Sequence, residues 1–456
     1  MAGKPIAEII KANIHLILIA AVILVSRLPF LGAGFGTDPD AWRVANAAKA
    51  MATSGEYVIS RPPGYPVHEI LSAVMFKGGP WLTNGATALL SVVAVIYFIL
   101  SLRLMNVRNH LLAGIMLAFT PIVYISSTAT IDYVWALAFI MVSLHAVLSR
   151  RYIWGGVFLG IAIGCRLTSA AMLLPLCIII TENRPSFSGA ACIRDNARFL
   201  TAALMTAAIA FLPVFIRYGL SLFTFYDIVS PPLSQALRKL SFEVWGIGGT
   251  LVLAAIAAAA TVFPKVFCLQ DNGHNQQWRR FVRPSVVAIV IFLATFLRLP
   301  CEAGYLIPVV PFVLLILAGC LKKWVMIAAC VATVLTSFVD FKCPTCPLSF
   351  QEGPFITQHI SRVRGVEFVN RILAEKSALP EKSVIVVAWW EPYIRLLRTD
   401  DENDSRRFIY CLDDTRLRDW TSKGYTIYHL PYVIDYNLTN YGIDLNKVST
   451  SWNIPY

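Results

Sequence analysis

Apolar residues in this chain come in blocks of about 20, the length that crosses a bilayer core as a helix. Divided at their charged interruptions, the blocks predict about eleven spans, near 9–30, 83–104, 110–128, 131–149, 152–167, 168–181, 199–217, 243–263, 284–299, 303–320 and 324–340. The stretch from Ile9 to Phe30 is too long for a signal-peptide core and has no small-residue cleavage pattern before Arg27, so it is expected to be a span. The short pair over 152–181 could instead be one broken helix, which would reverse the orientation of everything after it.

Basic residues set the expected orientation. With Lys4 and Lys11 on the cytoplasmic side, the alternate loops carry Arg103 and Arg108, Arg150 and Arg151, Arg184, Arg194 and Arg198, Lys265, Arg279, Arg280 and Arg283, then Lys322 and Lys323. Every inner loop is then basic, as the positive-inside rule requires. Three outer segments are too long for simple turns: 31–82, about 218–242, which contains Asp227, and the tail. Polar chemistry is expected there.

The pattern changes at about 341. Charges become dense, and helical stretches at 358–376 and 391–398 alternate with strand-like runs at Ser383–Trp389, Arg407–Cys411 and Tyr425–Tyr428. The expected organisation is therefore a polytopic α-helical membrane part, 1–340, followed by a small extracytoplasmic α/β domain, 341–456, with a short parallel sheet. No glycine-rich phosphate loop follows any of these strands, which argues against a nucleotide site.

Composition agrees with a membrane protein: of 456 residues, 57% are apolar and only 14% charged. The net charge of +12, from 39 Lys+Arg against 27 Asp+Glu, follows from basic inner loops and does not imply nucleic-acid binding. On the outer side, Cys343-Pro-Thr-Cys346 has C-x-x-C spacing, open to a redox role, half a zinc site or a disulfide to Cys411, with Cys301 also on that side. A structural disulfide within this set is expected. Asn403-Asp-Ser405 and Asn437-Leu-Thr439 are formal N-glycosylation triplets.

The first outer segment holds the most chemistry. Gly36-Thr37-Asp38-Pro39-Asp40-Ala41-Trp42-Arg43 places two carboxylates just where a span leaves the membrane, able to take a proton or to hold a sugar hydroxyl or a divalent cation. A structural role fits as well: Asp38 before Pro39 is a good N-cap, and Thr37 with Asp40 resembles a capping box. The helix that follows also offers free N–H groups to an anion. Arg43, Arg61, Tyr65 and His68 lie in the same segment, and the Arg61-Pro-Pro-Gly-Tyr-Pro66 run is expected to be extended and stiff. At other outer edges lie Asp132, Arg166 in Gly164-Cys165-Arg166-Leu167-Thr168, and Arg298 with Glu302 around Leu299-Pro300-Cys301. Ionisable groups at such depth face a cavity or a partner. Snorkelling of Arg166 and Arg298, N-capping by Asp132 and an Arg298–Glu302 pair are the structural alternatives.

This layout resembles the GT-C class of membrane glycosyltransferases, which includes the dolichyl-phosphate-mannose protein mannosyltransferases and the bacterial aminoarabinose transferase. The resemblance rests on Asp38-Pro39-Asp40 after the first span, the long first loop with Arg61-Pro-Pro-Gly-Tyr-Pro66, and Tyr305-Leu306-Ile307-Pro308 with Pro311 after a late outer loop. Many members have an adjacent Asp-Glu pair where these acids flank a proline. The resemblance implies transfer of a sugar on the outer side, from a polyprenyl-phosphate-linked donor to a hydroxyl of a lipid, glycan or protein acceptor. It makes Asp38 the general base, with Asp40 as alternative or as hydroxyl or metal ligand. Arg61, Arg166 and Arg298 become donor-phosphate ligands, with Arg43, Tyr65, His68, Asp132, Glu302 and Tyr305 as substrate contacts. A bacterial inner membrane with the C-terminal domain in the periplasm is the expected location.

Two other classes compete. A transporter or lipid flippase would also have many spans, but would place its ionisable groups near the bilayer midplane. A non-catalytic assembly or sensor protein would tolerate replacement of the first-loop acids.

Overall fold

The computed structural model describes residues 6–183, 189–219, 231–268, 277–341, 350–398 and 404–455. Asp227, Cys343, Cys346 and Asn403 lie outside the described residues. Each predicted apolar stretch coincides with apolar helix, but the helices differ in reach. Among the described residues four are long enough to cross a membrane: Asn13–Phe30, Pro66–Leu104, Gly189–Tyr218 and Gln277–Arg298. A pair bent by 85°, Leu233–Glu243 with Ile247–Val262, makes a fifth if taken as one span. The other apolar helices are 10–17 residues long, among them Tyr133–Leu148 and Tyr152–Cys165. At about 1.5 Å per residue these fall short of a hydrocarbon core about 30 Å thick.

The short helices gain by packing what they lack in length. Tyr133–Leu148 is buried along almost its whole surface. Tyr152–Cys165 lies tightly against Gly189–Tyr218 because Gly156 and Gly160 have no side chains: a Cβ at either would come within 2.3 Å of Phe199 O or 2.7 Å of Ala203 O. This is the small-residue spacing by which membrane helices approach backbone to backbone. The pair predicted over 152–181 is two helices joined by a 3-10 segment, Leu167–Met172, with Arg166 extended at the break.

After the last membrane helix, Lys323–Phe338, an antiparallel hairpin of β1 (Val339–Phe341) and β2 (Phe350–Glu352) leads into the helix Pro354–Glu375. A parallel sheet follows, in the order β4 (Arg407–Ile409), β3 (Ser383–Val386), β5 (Thr426–His429), β6 (Thr450–Ser451). β3 is central and wholly buried, which accounts for its unbroken Val-Ile-Val run. Helices Glu391–Leu397 and Asp414–Ser422 make the crossovers.

The apolar core of this sheet is shared. Phe35, Ala41, Trp42 and Ala45 of the first loop are buried in the same cluster as Phe368, Ile385, Trp390 and Tyr393. Arg362, only 3% exposed, anchors the other side: its guanidinium donates to Thr128 O at 2.6 Å, Thr128 Oγ1 at 3.0 Å, and Phe30 O and Ile125 O at 3.3 Å. The C-terminal elements thus clamp the first loop from above.

Two expectations are corrected. Cys301 and Cys411 are free thiols, and Cys411 Sγ lies 3.2 Å from Arg416 Nη1, so neither takes part in the expected disulfide. Asn437 is 1% exposed, accepts from Leu412 N at 3.0 Å and donates to Ile443 O at 3.0 Å. Its triplet is a structural brace and not an accessible glycosylation site.

Candidate active site

The helix Pro39–Ser54 starts as its sequence suggests, with proline in the first turn and Asp38 as N-cap, accepting from Asp40 N at 2.8 Å. Asp40, in the first turn of the helix, is held by two guanidinium groups instead: Arg43 Nη1 at 2.7 Å and Arg61 Nε at 2.8 Å. Arg61 then reaches Asp132 Oδ1 at 2.7 Å, and the other oxygen of Asp132 takes Arg166 Nη1 at 2.6 Å. The result is an alternating chain of charge, Arg43–Asp40–Arg61–Asp132–Arg166, drawn from four separate segments.

Asp132 stands at the first position before the helix Tyr133–Leu148 but makes no side-chain cap bond, so the capping alternative does not describe it. Its carboxylate is fully buried. Burial of an acid is costly unless it is paired, and here one acid serves two cations. Aromatic rings supply further compensation. The Arg166 guanidinium lies 4.2 Å from the ring centre of Tyr133 and 4.7 Å from that of Tyr305, and Arg61 lies 4.1 Å from Tyr65. Gly304 permits this cage, since a Cβ there would come within 2.5 Å of the Tyr133 ring.

Three cations against two acids leave the chain with an excess of one positive charge. Two donors in it are also unengaged: Arg61 Nη1 and Arg166 Nε are buried with no hydrogen-bond partner. An unsatisfied buried donor on a cation is costly, and an anion placed there would satisfy it.

The remaining acids sit beside this chain. Among the described residues Asp38 makes no ion pair. Burial, reinforced by the negative charge of Asp40, raises its carboxyl above the usual carboxylate range, against the pull of Arg61 and Arg43. Glu302 is raised in the same way, by burial and then by Asp38, with Lys239 opposing. Lys239 is fixed nearby by donating to Cys301 O at 2.5 Å.

The loop that carries Arg61 is braced by a residue without a polar role in the sequence reading. Glu69 is buried and accepts from Ser60 N at 2.7 Å, Ser60 Oγ at 2.5 Å, Tyr65 N at 2.9 Å and the Tyr57 hydroxyl. The expected extended run is in fact a turn: Gly64, at φ +96°, donates its N–H to Arg61 O at 2.9 Å, a closure that an L side chain would resist. The apolar stretch from Pro66 continues to Leu104, so the polar part of the first loop ends near Tyr65.

The predicted residues thus fall into two groups. Asp38, Asp40, Arg43, Arg61, Tyr65, Asp132, Arg166, Glu302 and Tyr305 come together. Arg298 stands apart, whereas His68 makes no hydrogen bond but interacts electrostatically with Asp132 and Arg61. Arg298 is exposed at the end of the helix Val282–Arg298, with no hydrogen bond or ion pair to the charged chain or to Glu302. His68 is fully buried against Trp135, ring centres 5.1 Å apart, and neither ring nitrogen has a hydrogen-bond partner. Among the described residues no group of three or more His, Cys, Asp or Glu could hold a metal ion.

Tyr133, Glu69 and Tyr393 belong to the site and were not singled out in the sequence. Tyr133 adjoins Asp132, and Glu69 follows Tyr65 by one helical turn, both visible in hindsight. Tyr393 carries no local signal. Its hydroxyl donates to Thr37 O at 2.9 Å and Gly36 O at 3.1 Å, its ring stacks on Trp42 at 4.1 Å, and Trp42 Nε1 also donates to Gly36 O at 2.9 Å. With Thr37 Oγ1 donating to Gln358 at 2.6 Å, the C-terminal elements fix the backbone immediately before Asp38.

No protein-family model matches this chain. A search among curated proteins likewise found no match. Among solved structures, the chain is similar to ArnT from Cupriavidus metallidurans bound to undecaprenyl phosphate, with TM-score 0.53 and 14% identity over 97% of this chain and 90% of that one. The apo form of the same protein gives 0.51 and 12% over 97% and 89%. An Archaeoglobus fulgidus oligosaccharyltransferase tethered with an acceptor peptide gives 0.43 and 14% over 88% and 64%. The likeness to ArnT extends almost end to end and shows that this chain shares its fold.

Proposed function

We propose that this protein is an integral membrane glycosyltransferase that moves a sugar from a polyprenyl-phosphate-linked donor to an acceptor hydroxyl. The observation that carries the reading is the buried chain Arg43–Asp40–Arg61–Asp132–Arg166, with its net positive charge and its two unengaged donors on Arg61 and Arg166. A phosphate oxygen is the anion that guanidinium groups suit best. The fold shared with a protein crystallised with undecaprenyl phosphate supports a lipid phosphate in particular.

In this reading Asp38 is the general base. Both oxygens of Asp40 are engaged by arginines, whereas Asp38 has one backbone bond and a carboxyl raised toward neutrality, where a base works best. Asp38 takes the proton of the acceptor hydroxyl as that oxygen forms a bond to the anomeric carbon. The bond from that carbon to the phosphate oxygen breaks, and the departing phosphate keeps the electron pair. Arg61 and Arg166 meet the charge that develops there, and Asp132 holds both in place. The proton on Asp38 leaves to water. Arg298, exposed and apart, has no part in this step.

The short apolar helices complete a membrane bundle of about eleven segments, with the amino terminus cytoplasmic, the charged chain at the outer edge, and the C-terminal elements in the periplasm of a bacterial inner membrane. The test is binding of undecaprenyl phosphate to the full chain in nanodiscs. Saturable binding lost in an Arg61→Ala, Arg166→Ala variant that remains folded supports the reading. No binding by the native chain would remove the lipid-phosphate donor from it.

A further inference from the structure

We infer that the face where Arg43 meets Tyr410, Tyr436 and Trp389 is the acceptor subsite and that it recognises a saccharide. The inference rests on the proposed transferase reading and narrows its acceptor to one chemical class.

The position comes from topology. In a parallel sheet, ligands bind beyond the carboxyl ends of the strands. Trp389 follows β3 and Tyr410 follows β4, so both stand at that edge. The edge faces the charged chain: the Arg43 guanidinium is 5.3 Å from the ring centre of Tyr410 while its Nη1 holds Asp40. Arg43 is also the most open member of the chain, with a third of its side chain exposed against 12% for Arg61. The charged chain therefore opens to solvent at this end and is closed by rings and helices at the Arg166 end. A lipid donor enters from the membrane side, which leaves this mouth for the water-side reactant.

The chemistry comes from the side chains. The Tyr436 hydroxyl donates to that of Tyr410 at 2.9 Å, with the rings at 88°, and Trp389 meets Tyr436 edge-on at 5.5 Å. All three rings are partly exposed. Partly open aromatic faces carrying hydroxyls, beside a guanidinium, suit a ring with apolar C–H faces and an equatorial fringe of hydroxyls. A flat apolar acyl chain would have no use for the polar groups. The backbone adds a second sign. Ala388, between β3 and Trp389, has φ +46°, a conformation that costs a non-glycine residue and that gathers at binding sites.

The experiment uses the full chain in nanodiscs, free of sugar detergents. Saturation-transfer NMR is recorded with methyl glucoside, methyl galactoside and N-acetylglucosamine as probes, and undecaprenyl phosphate binding is measured in parallel. At least one saccharide should bind, and Tyr410→Ala should weaken it about tenfold, the factor expected for one ring contact, with lipid-phosphate binding unchanged. Tyr410→Phe, which keeps the ring and carries little folding risk, should lose less. Absence of binding by every saccharide, or equal binding by native chain and Tyr410→Ala, overturns the inference. The parallel lipid measurement then tells that failure from a failure of the transferase reading itself. Loss of lipid-phosphate binding in Tyr410→Ala would likewise overturn it, because the residue would then act on the charged chain as a whole.

Discussion

Replacing Asp132 by asparagine removes the one buried acid that two cations share. Its oxygens lie 2.7 Å from Arg61 Nη2 and 2.6 Å from Arg166 Nη1, with no exposure of the carboxylate. Breaking a buried ion pair by removing one partner costs about 3–5 kcal/mol, because the other charge stays behind. Here Arg166 loses its only acid while Arg61 keeps Asp40, and the excess in the chain rises from one to two. Two effects reduce the loss: asparagine keeps one carbonyl oxygen for one guanidinium, and the rings of Tyr133 and Tyr305 continue to face Arg166. The expected cost is about 3 kcal/mol. An exposed pair sets the scale for comparison. Lys423 and Asp419 are 2.8 Å apart but about half exposed, and Asp419→Asn should cost less than about 1 kcal/mol. Reversible unfolding in mixed micelles measures both. If Asp132→Asn lies within about 0.5 kcal/mol of native, like the surface control, the charged chain is not a buried unit and the argument for an anion site fails. A double variant with Arg166→Met should recover part of the loss, since it removes the cation left unpaired.

Asp38→Asn should abolish sugar transfer without lowering the melting temperature; a raised carboxyl means that the folded state prefers it protonated, so the contribution of this group to stability is full below its unfolded pKa and is lost as pH rises through the folded one. Transfer should accordingly fall on the acid side at a pH above the ordinary carboxylate range, and a limb at about pH 4 would contradict the role given to Asp38. Tyr393→Phe removes the hydroxyl that holds Gly36 O and Thr37 O, and should reduce kcat with little change in KM for either substrate; an effect on KM alone would make Tyr393 a binding residue. Arg362→Met strips about four hydrogen bonds from a buried interface and should cost about 3 kcal/mol, visible as faster proteolysis within 354–455; unchanged proteolysis would show that the clamp is held elsewhere. Gly304→Ala places a carbon within 2.5 Å of the Tyr133 ring and should weaken undecaprenyl phosphate binding by displacing the Arg166 cage, an idea that native-like binding would end.

Local physics made much of this protein legible in its sequence. Blocks of apolar residues mark the apolar helices, because a helix satisfies its own backbone polar groups in lipid. Asp38 before Pro39 announces a helix start, and the alternation after 383 announces strands and crossovers, because both depend on neighbours a few residues apart. Candidate status for Asp132, Arg61 and Arg166 was also readable, since a lone charge at membrane depth needs a partner.

Which partner it finds was not readable. Arg61 meets Asp132 across 71 positions, Arg166 meets it across 34, and Arg362 reaches Thr128 across 234. Arg298 and Arg166 look alike in sequence, yet one ends exposed and the other buried in an aromatic cage. The difference lies in how helices of unequal length pack, which depends on glycines such as Gly156, Gly160 and Gly304 and on the rings they admit. Tyr393 reaches the Thr37 carbonyl, next to Asp38, from 356 positions away, a contact that leaves no pattern in either segment. In a low-dielectric interior each buried charge must be compensated at close range. The sequence determined that compensation was needed, and only the tertiary structure decided which charges would supply it.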